Sequence, residues 1–142
     1  MNVLFVCTGN TCRSPMAAAL FNKIAVERDL PVKIESAGLF ANDGEGASTG
    51  AVMAMKDYDI DLSGHHAKTI NTELLGKCDL VLTMTAAHKM TLLKYMGDKV
   101  YTLMEFAGEN DDIPDPYGKD FSEYKECAES LYKALLKVAD KI

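Results

Sequence analysis

The chain has 142 residues, 48% of them apolar and 25% charged, proportions that suit one soluble globular domain spanning residues 1–142. Fifteen basic residues against 21 acidic give a net charge of −6, with no basic stripe or block, which argues against a nucleic-acid-binding surface. No apolar run reaches a membrane span, and the N-terminus has neither a basic leader nor a long enough apolar stretch for a signal peptide. No membrane contact, a cytoplasmic location and reduced thiols are therefore expected.

In chain order, Val3 to Val6 form a short apolar run that predicts a buried strand, ended by Cys7. Thr8 to Arg13 make a polar loop in which Gly9 and Asn10 suit a positive φ. Ser14 followed by Pro15 reads as a helix start, with Ser at the N-cap and Pro at the first helical position. That helix runs to about Arg28, with Ala17, Leu20, Phe21 and Ile24 on one face, and Leu30-Pro31 ends it. Val32 to Ser36 alternate as a second strand, and Gly38 to Gly46 form a Gly-, Asn- and Asp-containing loop. A second helix is predicted from Ser48 to about Asp57, then an irregular stretch from Asp61 to Asn71. Thr72 to Leu75 form a short helix closed by Gly76, Cys78 to Met84 a strand, and Thr85 to about Met96 a helix ended by Gly97. Val100 to Leu103 predict a fourth strand, and Ala107 to Gly118 an acidic, proline-containing loop. Phe121 to Ile142 form the terminal helix, with Tyr124, Cys127, Leu131, Leu135 and Val138 as its inner stripe. Strands alternating with helices imply an α/β domain with a parallel sheet covered on both faces. Ligands of such sheets bind beyond the carboxyl ends of the strands, where Cys7 falls.

The chemistry concentrates at that strand end. Strand, tight loop and helix N-terminus form an anion cradle: the loop N–H groups converge, and the helix dipole adds about half a positive charge. Arg13 adds a planar fork able to grip two phosphate oxygens. Cys7 sits at the mouth of this field, which favours its thiolate. Cys, five intervening residues, Arg and Ser before a helix is the spacing of the Cys-based phosphatases. The wording Cys7-Thr8-Gly9-Asn10-Thr11-Cys12-Arg13-Ser14-Pro15 resembles one branch of them, the low-molecular-weight protein tyrosine phosphatases, and the resemblance extends along nearly the whole chain.

The resemblance implies a doubly wound four-stranded parallel sheet of order 2-1-3-4. It implies Cys7 as nucleophile, Arg13 and the loop Thr8, Gly9, Asn10, Thr11, Cys12 and Ser14 as the phosphate site, and Asp115 of Asp115-Pro116-Tyr117 as the general acid. From sequence alone most Asp-Pro pairs are exposed turns; here the match to the family's D-P-aromatic motif gives Asp115 its role. Asp111 and Asp112 lack that motif and read as solvated loop charges. Ser36, in Ser36-Ala37-Gly38, and His65, two residues before Ala67-Lys68, match supporting positions, although Lys68 stands where Arg is commoner. The resemblance also offers Cys12 as a partner able to pair with Cys7 under oxidation, against a plain buried thiol.

Thr11 is the informative departure. Tyrosine-directed members usually place an apolar residue there, whereas a hydroxyl can accept from a guanidinium N–H. A subgroup with Gly-Asn-Thr-Cys-Arg-Ser-Pro-Met-Ala acts on arginine phosphate, and this chain resembles it. Tyr117 is followed by Gly118 rather than a second aromatic, and Phe40 could form the opposite wall. The expected activity is therefore dephosphorylation of phosphoarginine side chains of protein substrates through a phosphocysteine, with phosphotyrosine as the alternative.

Two more distant readings are an arsenate reductase and a Cys phosphocarrier. The first needs a close downstream Cys pair, which Cys78 and Cys127 do not form; Arg13 and Asp115 speak against the second. No cofactor is required. The four cysteines lack a C-x-x-C pair and the three histidines lack ligand spacing, so no metal is expected. A monomer is the expected state.

Overall fold

In a computed structural model, which describes residues 1–142 apart from the side chains of 95–97, four parallel strands form one sheet in the order β2-β1-β3-β4. The strands are β1 (Asn2–Cys7), β2 (Lys33–Gly38), β3 (Leu80–Thr83) and β4 (Val100–Thr102). The helices are α1 (Arg13–Arg28), α2 (Thr49–Lys56), α3 (Thr72–Lys77), α4 (Ala86–Met96), α5 (Leu103–Phe106) and α6 (Phe121–Lys141). This is the doubly wound order that the resemblance implied.

Strand β1 organises the sheet because both of its faces are apolar. Successive side chains on a strand point to opposite faces. Val3, Phe5 and Cys7 pack on the side of α1 and α6, while Leu4 and Val6 pack with Leu74, Leu75, Val81 and Leu92 on the other. A strand buried on both sides reads as an unbroken apolar run, which is why Val3–Val6 was legible. The register sets Cys7 opposite Gly38 and Val6 opposite Thr83, so three strand ends meet at the rim that carries Cys7.

Helix α1 buries Ala17, Leu20, Phe21 and Ile24, and Phe21 meets Phe5 edge-on with ring centroids 5.7 Å apart. Helix α6 buries the whole predicted stripe of Tyr124, Cys127, Leu131, Leu135 and Val138. Each large apolar side chain in these stripes contributes about 1.5–3 kcal/mol. Gly50 lets α2 approach α6, since a Cβ there would lie 2.4 Å from the Tyr124 ring.

Several boundaries differ from the sequence reading. Helix α1 begins at Arg13, with Cys12 at the N-cap and no side-chain cap. Ser14 is therefore not a cap, and Pro15 is the third helical residue; its missing N–H is still one of the four that have no partner within a helix. Gly9 does not take a positive φ; Asn10 does, at 57°. Gly76 lies within α3 rather than closing it, and Cys78 caps that helix end instead of opening the strand. Thr102 stops β4 by forming a capping box with Glu105, which starts the short helix α5 that the sequence reading passed over.

Candidate active site

At the carboxyl end of β1 the loop folds back on Cys7. The Cys7 Sγ lies 2.9 Å from Ser14 Oγ and receives the Asn10 N–H at 3.3 Å. Asn10 Nδ2 donates to Ser14 Oγ at 2.8 Å, so the Ser14 proton is free to point at the sulfur. The Asn10 N–H and the Ser14 hydroxyl thus both approach this sulfur.

Asn10 is the hub of this loop and is fully buried. Its Nδ2 also donates to Ser36 Oγ at 3.0 Å, and its Oδ1 accepts the Lys68 N–H at 3.0 Å. Its carbonyl accepts from His65 Nε2 at 2.7 Å. Asparagine tolerates φ 57° better than most residues, and these bonds over-determine the conformation. Ser36 and His65 thus both meet Asn10. Lys68 contributes its backbone here, while its ammonium pairs with Glu35. Gly38 completes the seat: a Cβ there would lie 2.6 Å from the Thr8 carbonyl oxygen and 3.0 Å from Asn10 N.

Arg13 is buried, and its Nη1 donates to the Ile113 carbonyl at 3.0 Å. Its Nη2 lies 3.5 Å from Asp115 Oδ2, so the guanidinium faces both the cradle and the acid-bearing loop. Asp115 is half exposed, and its Oδ1 accepts the Tyr117 N–H at 3.1 Å, which with Pro114 and Pro116 restrains it. Thr11, Phe40 and Tyr117 line the same cleft of about 260 Å³ as Cys7, Arg13 and Asp115. Phe40 and Tyr117 are strongly exposed and wall its mouth.

Residues that the sequence does not single out as site residues stand in or near the cleft. Asn42 and Glu45, on the loop after β2, line it. Asp112 is exposed, as a solvated loop charge would be, and its Oδ1 also accepts the Ala86 N–H at the start of α4, at 2.9 Å. His88, on that first turn, is buried and lies 2.9 Å from Thr8 Oγ1 through Nε2. Burial, and then the charge of Arg13, pushes its pKa down to about 4. Nothing in the local sequence distinguishes His88 from a surface helical histidine.

All four cysteines are free thiols. Cys12 Sγ sits 3.2 Å from Ser48 Oγ and 3.7 Å from the Tyr124 hydroxyl, and it lines the cleft beside Cys7. Burial pushes the Cys127 thiol up to about 12. Among the described residues, no group of three or more His, Cys, Asp or Glu could hold a metal ion. No helix among the described residues is long and apolar enough to cross a membrane.

The family model for low molecular weight phosphotyrosine protein phosphatase matches residues 2–142. The chain belongs to this family. It is therefore a hydrolase, a Cys-dependent protein phosphatase. The protein-arginine-phosphatase of Bacillus subtilis is 41% identical over 100% of this chain and 97% of its own length. The solved YwlE arginine phosphatase, a Cys-to-Ser mutant with a phosphorylated active-site serine, superposes with a TM-score of 0.95 at 41% identity, covering 99% of this chain and 95% of that one. The low molecular weight protein tyrosine phosphatase from T. tengcongensis superposes at 0.96 with 43% identity, covering 100% and 99%. This phosphatase thus resembles proteins named for both arginine and tyrosine phosphate.

Proposed function

We propose that this phosphatase removes phosphate from arginine side chains of phosphorylated proteins, with Cys7 as nucleophile, Arg13 as phosphate ligand and Asp115 as general acid and base. The observation that carries the reaction is the convergence of Ser14 and Asn10 on the Cys7 sulfur, with Arg13 and Asp115 3.5 Å apart across the same cleft. The Cys7 thiolate attacks phosphorus in line, so the S–P bond forms as the bond to the leaving nitrogen breaks. Arg13 and the loop N–H groups of residues 8–13 hold the three equatorial oxygens, whose charge they stabilise in a site shaped before substrate arrives. Asp115 gives its proton to the departing nitrogen. It then takes a proton from water, which attacks the phosphocysteine, breaks the S–P bond and returns the thiolate with inorganic phosphate. The phosphorylated serine of the YwlE mutant supports a covalent phosphoryl group on the residue at the Cys7 position.

The choice of arginine rests on the cleft lining. Thr11, a residue with a hydroxyl rather than a wholly apolar side chain, lines the cleft together with Glu45 and Asp115. These acceptors suit the N–H groups of a cationic guanidinium and do nothing for a phenyl ring. The relative named protein-arginine-phosphatase supports the same choice. Phe40 and Tyr117 favour phosphotyrosine as the second reading, because two exposed aromatics could sandwich its ring. The deciding measurement is kcat/KM on matched phosphoarginine and phosphotyrosine peptides, for the native chain and for Thr11→Ile. The native chain is expected to prefer phosphoarginine, and the variant to shift towards phosphotyrosine. An unchanged ratio refutes the role given to Thr11.

A further inference from the structure

His88 has no part in the reaction set out above, yet it is a buried ionisable side chain against the phosphate loop. Its ring lies on the first turn of α4, and the Nδ1 atom is buried with no hydrogen-bond partner among the described residues. A pKa near 4 leaves the ring neutral in ordinary buffers, with a single N–H. On Nδ1 that proton would be a buried donor without an acceptor, the rarest kind of orphan in folded proteins. The proton therefore belongs on Nε2, which donates to Thr8 Oγ1 at 2.9 Å.

This assignment has a consequence for Thr8. A hydroxyl that accepts from His88 keeps its own proton for another partner. Thr8 immediately follows Cys7 and lines the same cleft. The same turn of α4 is tied to the acid-bearing loop through the Ala86 N–H and Asp112 Oδ1, 2.9 Å apart. One helical turn therefore holds the start of the phosphate loop and the loop carrying Asp115.

We propose that His88 is a positioning residue: it fixes the Thr8 side chain beside the nucleophile so that the Thr8 hydroxyl donates to an oxygen of the bound phosphoryl group. The proposal rests on Cys7 being the phosphoryl acceptor. It needs no titration of His88 in the working range, only a neutral ring with its proton on Nε2.

The test is steady-state hydrolysis of p-nitrophenyl phosphate by His88→Phe, His88→Gln, Thr8→Val, Thr8→Ser and the His88→Phe/Thr8→Val double variant. Loss of one hydrogen bond to the reacting group should lower kcat/KM about tenfold in His88→Phe and in Thr8→Val. The double variant should fall no further than either single one, because both remove the same bond. His88→Gln, whose amide can reach Thr8, should recover to within about threefold of the native value, as should Thr8→Ser. Native activity in His88→Phe overturns the proposal, and so does a double variant that loses the product of the two single effects. If His88→Phe does not fold, Thr8→Val decides alone: native activity there is equally fatal. Cys7→Ser run in parallel separates the two readings, since turnover by that variant refutes the nucleophile itself, whatever His88 does.

Discussion

Replacing Asn10 by alanine should dismantle the phosphate loop while leaving the sheet intact. Three side-chain bonds disappear: those to Ser14 Oγ, Ser36 Oγ and the Lys68 N–H, at 2.8, 3.0 and 3.0 Å. Each is worth about 1 kcal/mol net, and more where the surviving partner is left buried and unpaired. Alanine at φ 57° adds about 1 kcal/mol of strain over asparagine. Together these give a loss of about 4 kcal/mol, or on the order of 10 °C in Tm for a chain of this size. Activity should fall further than stability suggests, by at least about a hundredfold, because the Asn10 N–H and Ser14 hydroxyl both point at Cys7 through this hub. Asn10→Gly separates the two contributions: it relieves the strain but not the lost bonds, so it should recover only about 1 kcal/mol. Urea unfolding followed by circular dichroism gives the stability, and p-nitrophenyl phosphate turnover gives the activity. An Asn10→Ala enzyme within a factor of two of native kcat/KM would refute the argument that the loop depends on this side chain.

Asp115→Asn should cut kcat by about 10²–10⁴ on substrates with poor leaving groups, and much less on an activated aryl phosphate. Comparing the two substrate types checks its role as proton donor. Gly38→Ala should lower activity about tenfold or more, because the new Cβ would sit 2.6 Å from the Thr8 carbonyl oxygen and must displace the loop or the strand; turnover at fixed folded fraction reads this out. His88 makes stability pH-dependent: its pKa falls from 6.5 in the unfolded chain to about 4 in the fold. The unfolded chain then binds the extra proton, so this contribution is intact above pH 6.5 and declines as pH drops towards 4, by up to about 3 kcal/mol. The slope of unfolding free energy against pH in that window should flatten in His88→Phe.

The sequence by itself determined what depends on neighbouring residues. The unbroken apolar run Val3–Val6, the Cys7-to-Arg13 spacing and the 3.6-residue stripe of α6 are all local patterns, carried by residues close together in the chain. The family wording around Cys7 then carried the parallel sheet and its strand order. Only the tertiary structure decided which distant groups meet at the end of β1. Parallel crossovers place the carboxyl ends of β1, β2 and β3 side by side, so Asn10 bonds partners 26 and 58 residues away. The same crossovers bring His88 to Thr8 across 80 residues, and Ile113 to Arg13 across 100. Ser14 shows the limit within one segment: as Ser-Pro it reads as a helix cap, but burial beside Cys7 and Asn10 turns its hydroxyl to the sulfur instead. Side-chain partners over such separations are set by packing in three dimensions, and a linear pattern records only that a polar group is present.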